Sequence, residues 1–418
     1  MAEIPTKLLD ELTEEINKFS EQAQEQVKAA LKVVLDDWAK NGNGNIAALR
    51  EITYEVIENE LIYFADTCAA AQAANFYDDV RESQNVSGSY SALAESRRDL
   101  AATLGAVRYF VGQVADGNTD TFISLCLSRV DTEVRRAANK CVAYNVGKDP
   151  AKPRYARVPR GDTCGFCLML AAFGFHYKTE EAASHAHSKC DCKIVPGFDG
   201  KTTVKGYNPE AMYKSYNACL KTLGGNDGIA TDWNALPKAE RDAYIKAHGN
   251  KEGKAYQAYK NKRIAAEIET RDTDWFKTGK VPEVTYVSKR VENNATAAEK
   301  CTAARLATHG VKANFIRDYE MVICSDGIKR RKGLPDLENG IELKTLGGSK
   351  NAYGAVKNYM DNASGKKGLK CLVIDNVESE YLSDKEVTDA IHMLAGDYSF
   401  PQVRILTKSG EYIVVEKQ

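Results

Sequence analysis

A helix that spans a bilayer needs about 18 or more consecutive apolar residues, and this sequence has no such run. It also has almost no net charge, since 57 Lys and Arg face 58 Asp and Glu to leave −1. No whole-chain electrostatic footprint points to nucleic acid, so charge has to be read locally. The start, Met1 to Phe19, lacks the basic head and short apolar core of a secretory leader; it is acidic and amphipathic instead. Internal repeats and low-complexity tracts are absent too. These absences predict no membrane insertion and synthesis in a cytoplasm.

What is present is long and globular in composition. The 418 residues exceed one ordinary core, and a prior of roughly 150 residues per domain suggests two or three domains. The 43% hydrophobic and 28% charged content is that of a soluble globular protein. Eleven cysteines is a high count, and four of them crowd between Cys164 and Cys192. In a reducing compartment such clustering favours metal binding over disulfides.

The pattern along the chain predicts a multidomain protein. A mostly α-helical module over 1–150 is expected because Leu8, Leu12, Ile16, Phe19, Ala23, Val27, Leu31, Val34 and Trp38 recur every three or four residues. A second apolar face follows the Asn41–Asn45 break, and helical patterns resume from Tyr90 and from Asp120. Residues 151–200 form a Cys/His segment. Residues 201–284 read as a polar helical extension that ends in the linker Lys277-Thr278-Gly279-Lys280-Val281-Pro282. Residues 285–418 alternate helix and strand, as an α/β domain does.

Within the Cys/His segment stand Cys164-Gly-Phe-Cys167 and His185-Ala-His187-Ser-Lys-Cys190-Asp-Cys192. A C-x-x-C pair brings two thiolates to one ion, and a second pair some way on completes a tetrahedron. Zinc suits such sulfur and imidazole ligands. The expected ligands are Cys164, Cys167, His187 and either Cys190 or Cys192; disulfides or free thiols are the alternative. A complete set of protein ligands implies a structural ion, because a catalytic one keeps a position open for water.

Arg157-Val-Pro-x-Gly-x-x-Cys164-x-x-Cys167 followed by His187-x-x-Cys190-x-Cys192 resembles the minor head proteins of tailed phages, the phage Mu F type. Ala74-Asn-Phe-Tyr-Asp-Asp-Val-Arg81 and Glu267-Ile-Glu-Thr-Arg-Asp-x-x-Trp275 extend the likeness over roughly residues 1–285. The resemblance implies a structural virion component, made in a bacterial cytoplasm, with phage portal and head proteins as partners.

The C-terminal part reads as an αβββαβ order: a helix over about 294–309, strands at 311–316, 319–324 and 341–345, a helix over 350–360 and a strand at 369–375. Further elements follow. Inside it lies Pro335-Asp336-Leu-Glu-Asn-Gly-Ile-Glu342-Leu-Lys344. Residues i and i+2 of a strand share a face, so Glu342 and Lys344 point together, and a hairpin can bring Asp336 alongside. Two carboxylates can hold Mg²⁺, a hard ion that takes oxygen ligands. Such an ion polarises a phosphodiester and helps generate a nucleophile from water, while Lys344 orients that water or offsets phosphate charge. An exposed salt-bridged hairpin is the bland alternative. The basic run Lys329-Arg330-Arg331-Lys332, with Lys350 and Lys357 on the next helix, is a candidate phosphate-contacting patch, or else a solvated loop.

Pro335-Asp336…Glu342-Leu343-Lys344, the preceding Ala-rich helix ending in Leu306-Ala307-x-x-Gly310-Val311, and the strand Val373-Ile374-Asp375 are similar to toxin domains of contact-dependent growth inhibition systems. The resemblance implies a PD-(D/E)-x-K nuclease fold. It also implies tRNA or DNA as substrate, a cognate immunity protein, and action in the cytoplasm of a target cell. It adds Glu292 as an acidic residue at the metal site, the alternative being a plain carboxylate at a helix N-terminus, favoured there by the helix dipole. The combined expectation is a phage minor head protein carrying a metal-dependent nuclease toxin, a tRNA endonuclease. A purely structural virion protein and a DNA endonuclease are the alternatives.

Overall fold

Leu9, Leu12, Ile16, Ala23, Val27 and Leu31 line the buried stripe of one 36-residue helix, α1 (Thr6–Asn41). These positions belong to a computed structural model that describes residues 3–41, 44–161, 163–183, 188, 190–324, 327–398 and 401–415; for 183, 320–324 and 327–332 it describes the backbone alone. The chain divides into two units, Met1–Pro209 and Glu210–Gln418.

In the first unit, strand β1 (Glu3–Ile4) precedes α1. Asn45 caps α2 (Ile46–Leu61) by accepting the Ala48 N–H at 3.1 Å. A π-helical stretch, Ile62–Ala69, runs on into α3 (Ala70–Ser83). Helix resumes only at α4 (Leu100–Ala115), later than the expected Tyr90, because Asp99 is the cap and accepts the Ala102 N–H at 3.0 Å. Helix α5 (Thr119–Lys148) is buried along much of its length. Its interior charges are paired: Asp131 with Arg135 at 2.6 Å, and Glu133 with Arg129 at 2.9 Å.

Strands β2 (Arg154–Val158) and β3 (Lys193–Gly197) pair antiparallel, with the short helices α6 (Gly165–Ala171) and α7 (Glu180–Ala183) between them. Strand β4 (Thr203–Val204) pairs in parallel with β1. Tyr155, Ala156, Val158, Ile194 and Val195 join the same core as the helices, and Asn139 of α5 accepts the Ile194 N–H at 3.2 Å. The cysteine-bearing segment is therefore built into the helical unit.

The second unit opens with helices α8 (Pro209–Thr222), α9 (Gly225–Ala235), α10 (Lys238–Ala247), α11 (Glu252–Glu269) and α12 (Thr273–Thr278). Strand β5 (Val284–Tyr286) pairs in parallel with β6 (Ala313–Phe315), and α13 (Lys289–Asn294) and α14 (Ala297–Thr308) lie between them in sequence. Strands β7 (Tyr319–Cys324) and β8 (Gly327–Lys332) form a hairpin. The main sheet contains β9 (Ile341–Thr345), β10 (Cys371–Asp375), β11 (Val403–Leu406) and β12 (Tyr412–Val415) in the order β12-β11-β10-β9; β12 alone is antiparallel to its neighbour. Helices α15 (Ala352–Ala363) and α16 (Asp384–Ala395) make the crossovers. One face of the sheet packs Leu372, Ile374 and Ile405 with these two helices. The other packs Ile341, Leu343 and Val373 with Ala303 and Leu306 of α14.

The expected αβββαβ order is altered at two points. The basic run Lys329–Lys332 lies on β8, a strand the sequence pattern does not announce. Glu342 and Lys344 consequently sit on the fourth strand after α14, and β9 enters the sheet as an edge strand beside β10. The expected boundary near 285 also falls inside the second unit. Glu267 of α11 is buried and receives both Arg404 guanidinium nitrogens from β11, at 2.9 and 2.7 Å. Arg271 stacks over the Tyr412 ring at 4.9 Å. These contacts fasten the helical stretch to the sheet.

Candidate functional site

Glu342 and Lys344 do share a face of β9. The Lys344 ammonium donates to Glu342 Oε1 at 2.5 Å, and Glu342 is fully buried. Asp336 reaches the pair from a loop and not from a hairpin strand. Its Oδ2 accepts the Leu343 N–H at 2.8 Å, on the edge of β9 that no strand covers among the described residues. The turn before β9 closes at Gly340, whose φ of +84° suits glycine. A Cβ there would meet the Gly368 carbonyl at 2.6 Å.

That close approach positions a residue the sequence pattern did not single out. The loop after α15 is stitched to the Asp336 loop by Lys367 N–H to Gly333 O at 2.7 Å and Lys370 N–H to Gly340 O at 2.8 Å. It delivers Lys366, whose ammonium donates to Glu342 Oε2 at 2.6 Å. Two carboxylates and two ammonium groups thus converge. Burial, and then the Glu342 charge, push the Asp336 carboxyl up to about 7. Burial works against the Lys344 charge, but the hydrogen bond and charge of Glu342 outweigh it and raise Lys344.

Glu292 is not brought to this cluster. It lies on α13, pairs with Lys289 at 2.7 Å, and has no hydrogen bond or ion pair to Asp336, Glu342 or Lys344 among the described residues. Glu299 is the acid nearest in role. It closes the capping box of α14 with Thr296 and lines a cleft that Asp336 also lines. Its charge is among those that raise Lys344. In sequence, Thr296-x-x-Glu299 reads only as a helix start. Helix α14 is pinned by Thr302 and Arg305, which donate to the buried Asp375 of β10 at 2.7 and 2.6 Å.

The basic residues are dispersed. Lys350 sits over the Tyr381 ring at 4.5 Å, and Lys357 pairs with Asp361 at 2.8 Å. The side chains of Lys329, Arg330, Arg331 and Lys332 lie outside the described residues. Asp336 and Glu342 are hard oxygen donors of the kind that Mg²⁺ takes. Both Glu342 oxygens are taken up by lysines, so an ion would have to displace one of them.

A second cluster lies in the first unit. Cys164 is the N-cap of α6, and its Sγ accepts the Cys167 N–H at 3.4 Å. Cys190 and Cys192 come from the run into β3. The sulfurs of Cys167, Cys190 and Cys192 lie 3.1 to 3.4 Å apart, and Cys164 hydrogen-bonds both Cys167 and Cys190. Both Cys190 and Cys192 therefore belong to the group, so no choice between them is needed; His187 lies outside the described residues. The pairing of Arg157 with Ile194 across β2 and β3 sets the buried Arg157 guanidinium 2.8 Å from Cys192 Sγ. Hydrogen bonding with Cys167 and Cys190, with Arg157 adding its charge, holds the Cys192 thiol well below its ordinary range. Cys167, Cys190 and Cys192 could hold a metal ion such as zinc, whose bonds to sulfur are about 2.3 Å.

No helix among the described residues is long and apolar enough to cross a membrane. A protein family described as VG15 protein has a model that matches residues 3–219 of the 418. No curated protein and no solved structure is found to match the chain.

Proposed function

The chain belongs to the VG15 protein family, a phage-associated family, and from that premise we propose that it is a virion minor head protein whose second unit is a metal-dependent nuclease acting on tRNA. The observation that carries the enzymatic part is the convergence of Asp336, Glu342 and Lys344 on β9, the edge strand of the sheet among the described residues. Bound Mg²⁺ would polarise a phosphodiester and lower the pKa of a coordinated water. Asp336 and Glu342 would be its protein ligands. Lys344, released from Glu342, would face the developing phosphate charge, and Lys366 would balance the remaining carboxylate. The first unit would place the protein among phage portal and head proteins. A cognate immunity protein would protect the producing cell until the nuclease reaches a target cytoplasm.

One observation favours a second reading. Glu342 already has both oxygens neutralised by lysines, which a purely structural virion protein would need in order to bury a carboxylate. The deciding experiment incubates the full-length protein with total tRNA and with plasmid DNA, in Mg²⁺ and in EDTA, beside Glu342→Ala. Mg²⁺-dependent tRNA cleavage that the variant lacks supports the nuclease. Cleavage of plasmid alone moves the substrate to DNA. No cleavage of either by folded protein leaves the structural role.

A further inference from the structure

Asp336 is the point where the carboxylate cluster meets solvent, and the space in front of it has a definite lining. A cleft of about 390 Å³ runs from Asp336 along α13, the start of α14 and the segment between β6 and β7. Arg290 and Arg317 line it together with Asn294, Glu299, Asp318 and Asp336. Both arginines are exposed, and among the described residues neither side chain makes an ion pair or hydrogen bond. Other arginines of this unit are committed: Arg305 to Asp375 and Glu378, Arg271 and Arg404 to Glu267. Two uncommitted, exposed guanidinium groups on one cleft are available to bind an anion. A guanidinium presents a planar fork that matches phosphate oxygens two at a time.

We propose that this cleft is a groove for single-stranded nucleic acid, in which Arg290 and Arg317 grip the backbone phosphates next to the one presented to Asp336. The proposal rests on the nuclease reading for the identity of the reacting centre, but not for the binding itself. Size restricts the ligand. The volume lies near the lower end of small-molecule sites, about 300–1,000 Å³. It admits about one nucleotide with its phosphate, so a chain enters it as a single strand, with the neighbouring phosphates outside, towards the exposed arginines. Phosphate contacts give affinity and register with little regard to sequence. RNA and DNA single strands share the chemistry that the arginines recognise. Arg290 and Arg317 act as positioning residues, since they hold the chain and do not touch the reacting atoms.

The test measures binding of a short fluorescein-labelled single-stranded RNA to the full-length protein by anisotropy, across a KCl series in EDTA. The same sequence as a blunt duplex and as single-stranded DNA forms the parallel arms. The single strand is expected to bind more tightly than the duplex. Arg290→Ala with Arg317→Ala should weaken it about ten-fold or more and flatten the plot of log affinity against log salt by roughly 0.7 per lost phosphate contact. Lys385→Ala, remote in sequence and paired with Asp389, should change neither. An unchanged affinity and salt slope in the double variant, or tighter binding of the duplex, overturns the groove. Tighter binding of RNA than DNA assigns the groove to RNA, and the reverse assigns it to DNA. The two readings fail separately. Arginine-dependent binding without any Mg²⁺-dependent cleavage removes the nuclease and leaves the groove, whereas cleavage that needs Glu342 with arginine-independent binding does the opposite.

Discussion

Lys366 contacts the one Glu342 oxygen that Lys344 leaves free, at 2.6 Å, so a fully buried carboxylate is held between two ammonium groups. An unpaired carboxylate at this depth would carry a large desolvation penalty. The lysines remove that penalty, and any divalent ion has to compete with them. Lys366→Met is therefore expected to lower the melting temperature in EDTA by several degrees, and to enlarge the stabilisation that Mg²⁺ gives, because a competitor for Glu342 is gone. Thermal unfolding of both proteins with and without Mg²⁺ checks this. A variant with the wild-type response to Mg²⁺ would show that Lys366 does not compete with an ion.

The Asp336 carboxyl is pushed up to about 7 by burial and by Glu342. A folded-state value above the unfolded one, about 4, means that the fold holds the proton more tightly. Stability then falls as pH rises from about 4 to about 7 and stays reduced above that. Asp336→Asn should be more stable than wild type by on the order of 1–3 kcal/mol at alkaline pH, with the difference vanishing in acid. Any Mg²⁺-dependent cleavage should be lost in the same variant. Urea unfolding across pH is the measurement, and a difference that grows towards acid contradicts the electrostatic account.

The sulfur cluster should bind about one zinc per chain. Cys167→Ser removes a sulfur that lies 3.3 and 3.4 Å from two others and should abolish the metal. Cys141→Ser, which alters a buried thiol bonded to the Ala70 carbonyl, should retain it. Metal analysis after exhaustive dialysis distinguishes them. Metal-free wild-type protein whose melting ignores chelator would return the four cysteines to a role as core thiols.

A fragment that starts at Glu210 should unfold cooperatively, and one that starts at 285 should be much less stable. The shorter fragment loses Glu267 and leaves Arg404, which is 3% exposed, without its carboxylate. Stranding one partner of a buried pair costs about 3–5 kcal/mol. Glu267→Gln in the longer fragment should reproduce part of that loss. Equal denaturation midpoints for the two fragments would place the independent domain at the linker after all.

The sequence by itself determined the helical periodicity of the first unit, because a single apolar stripe such as Leu9 to Leu31 is enough to fix a helix and its buried face. It also determined the shared face of Glu342 and Lys344, which follows from the two-residue repeat of a strand. The C-x-x-C and H-x-x-C-x-C spacing marked the sulfur cluster for the same local reason. Tertiary structure decided the rest. Lys366 meets Glu342 only because a tight turn at Gly340 lets the Gly368 loop approach. Glu299 lines the Asp336 cleft, and Glu292 does not, because a break at Ala295 puts them on separate helices. Strand β8 hid in a basic run because its pattern lacks apolar alternation and is set by pairing with β7. The unit boundary moved to Glu210 because a buried ion pair 137 residues apart in sequence, Glu267 with Arg404, leaves no trace in local composition. Local periodicity specifies elements and faces; which charges meet is set by chain crossings that no window of sequence contains.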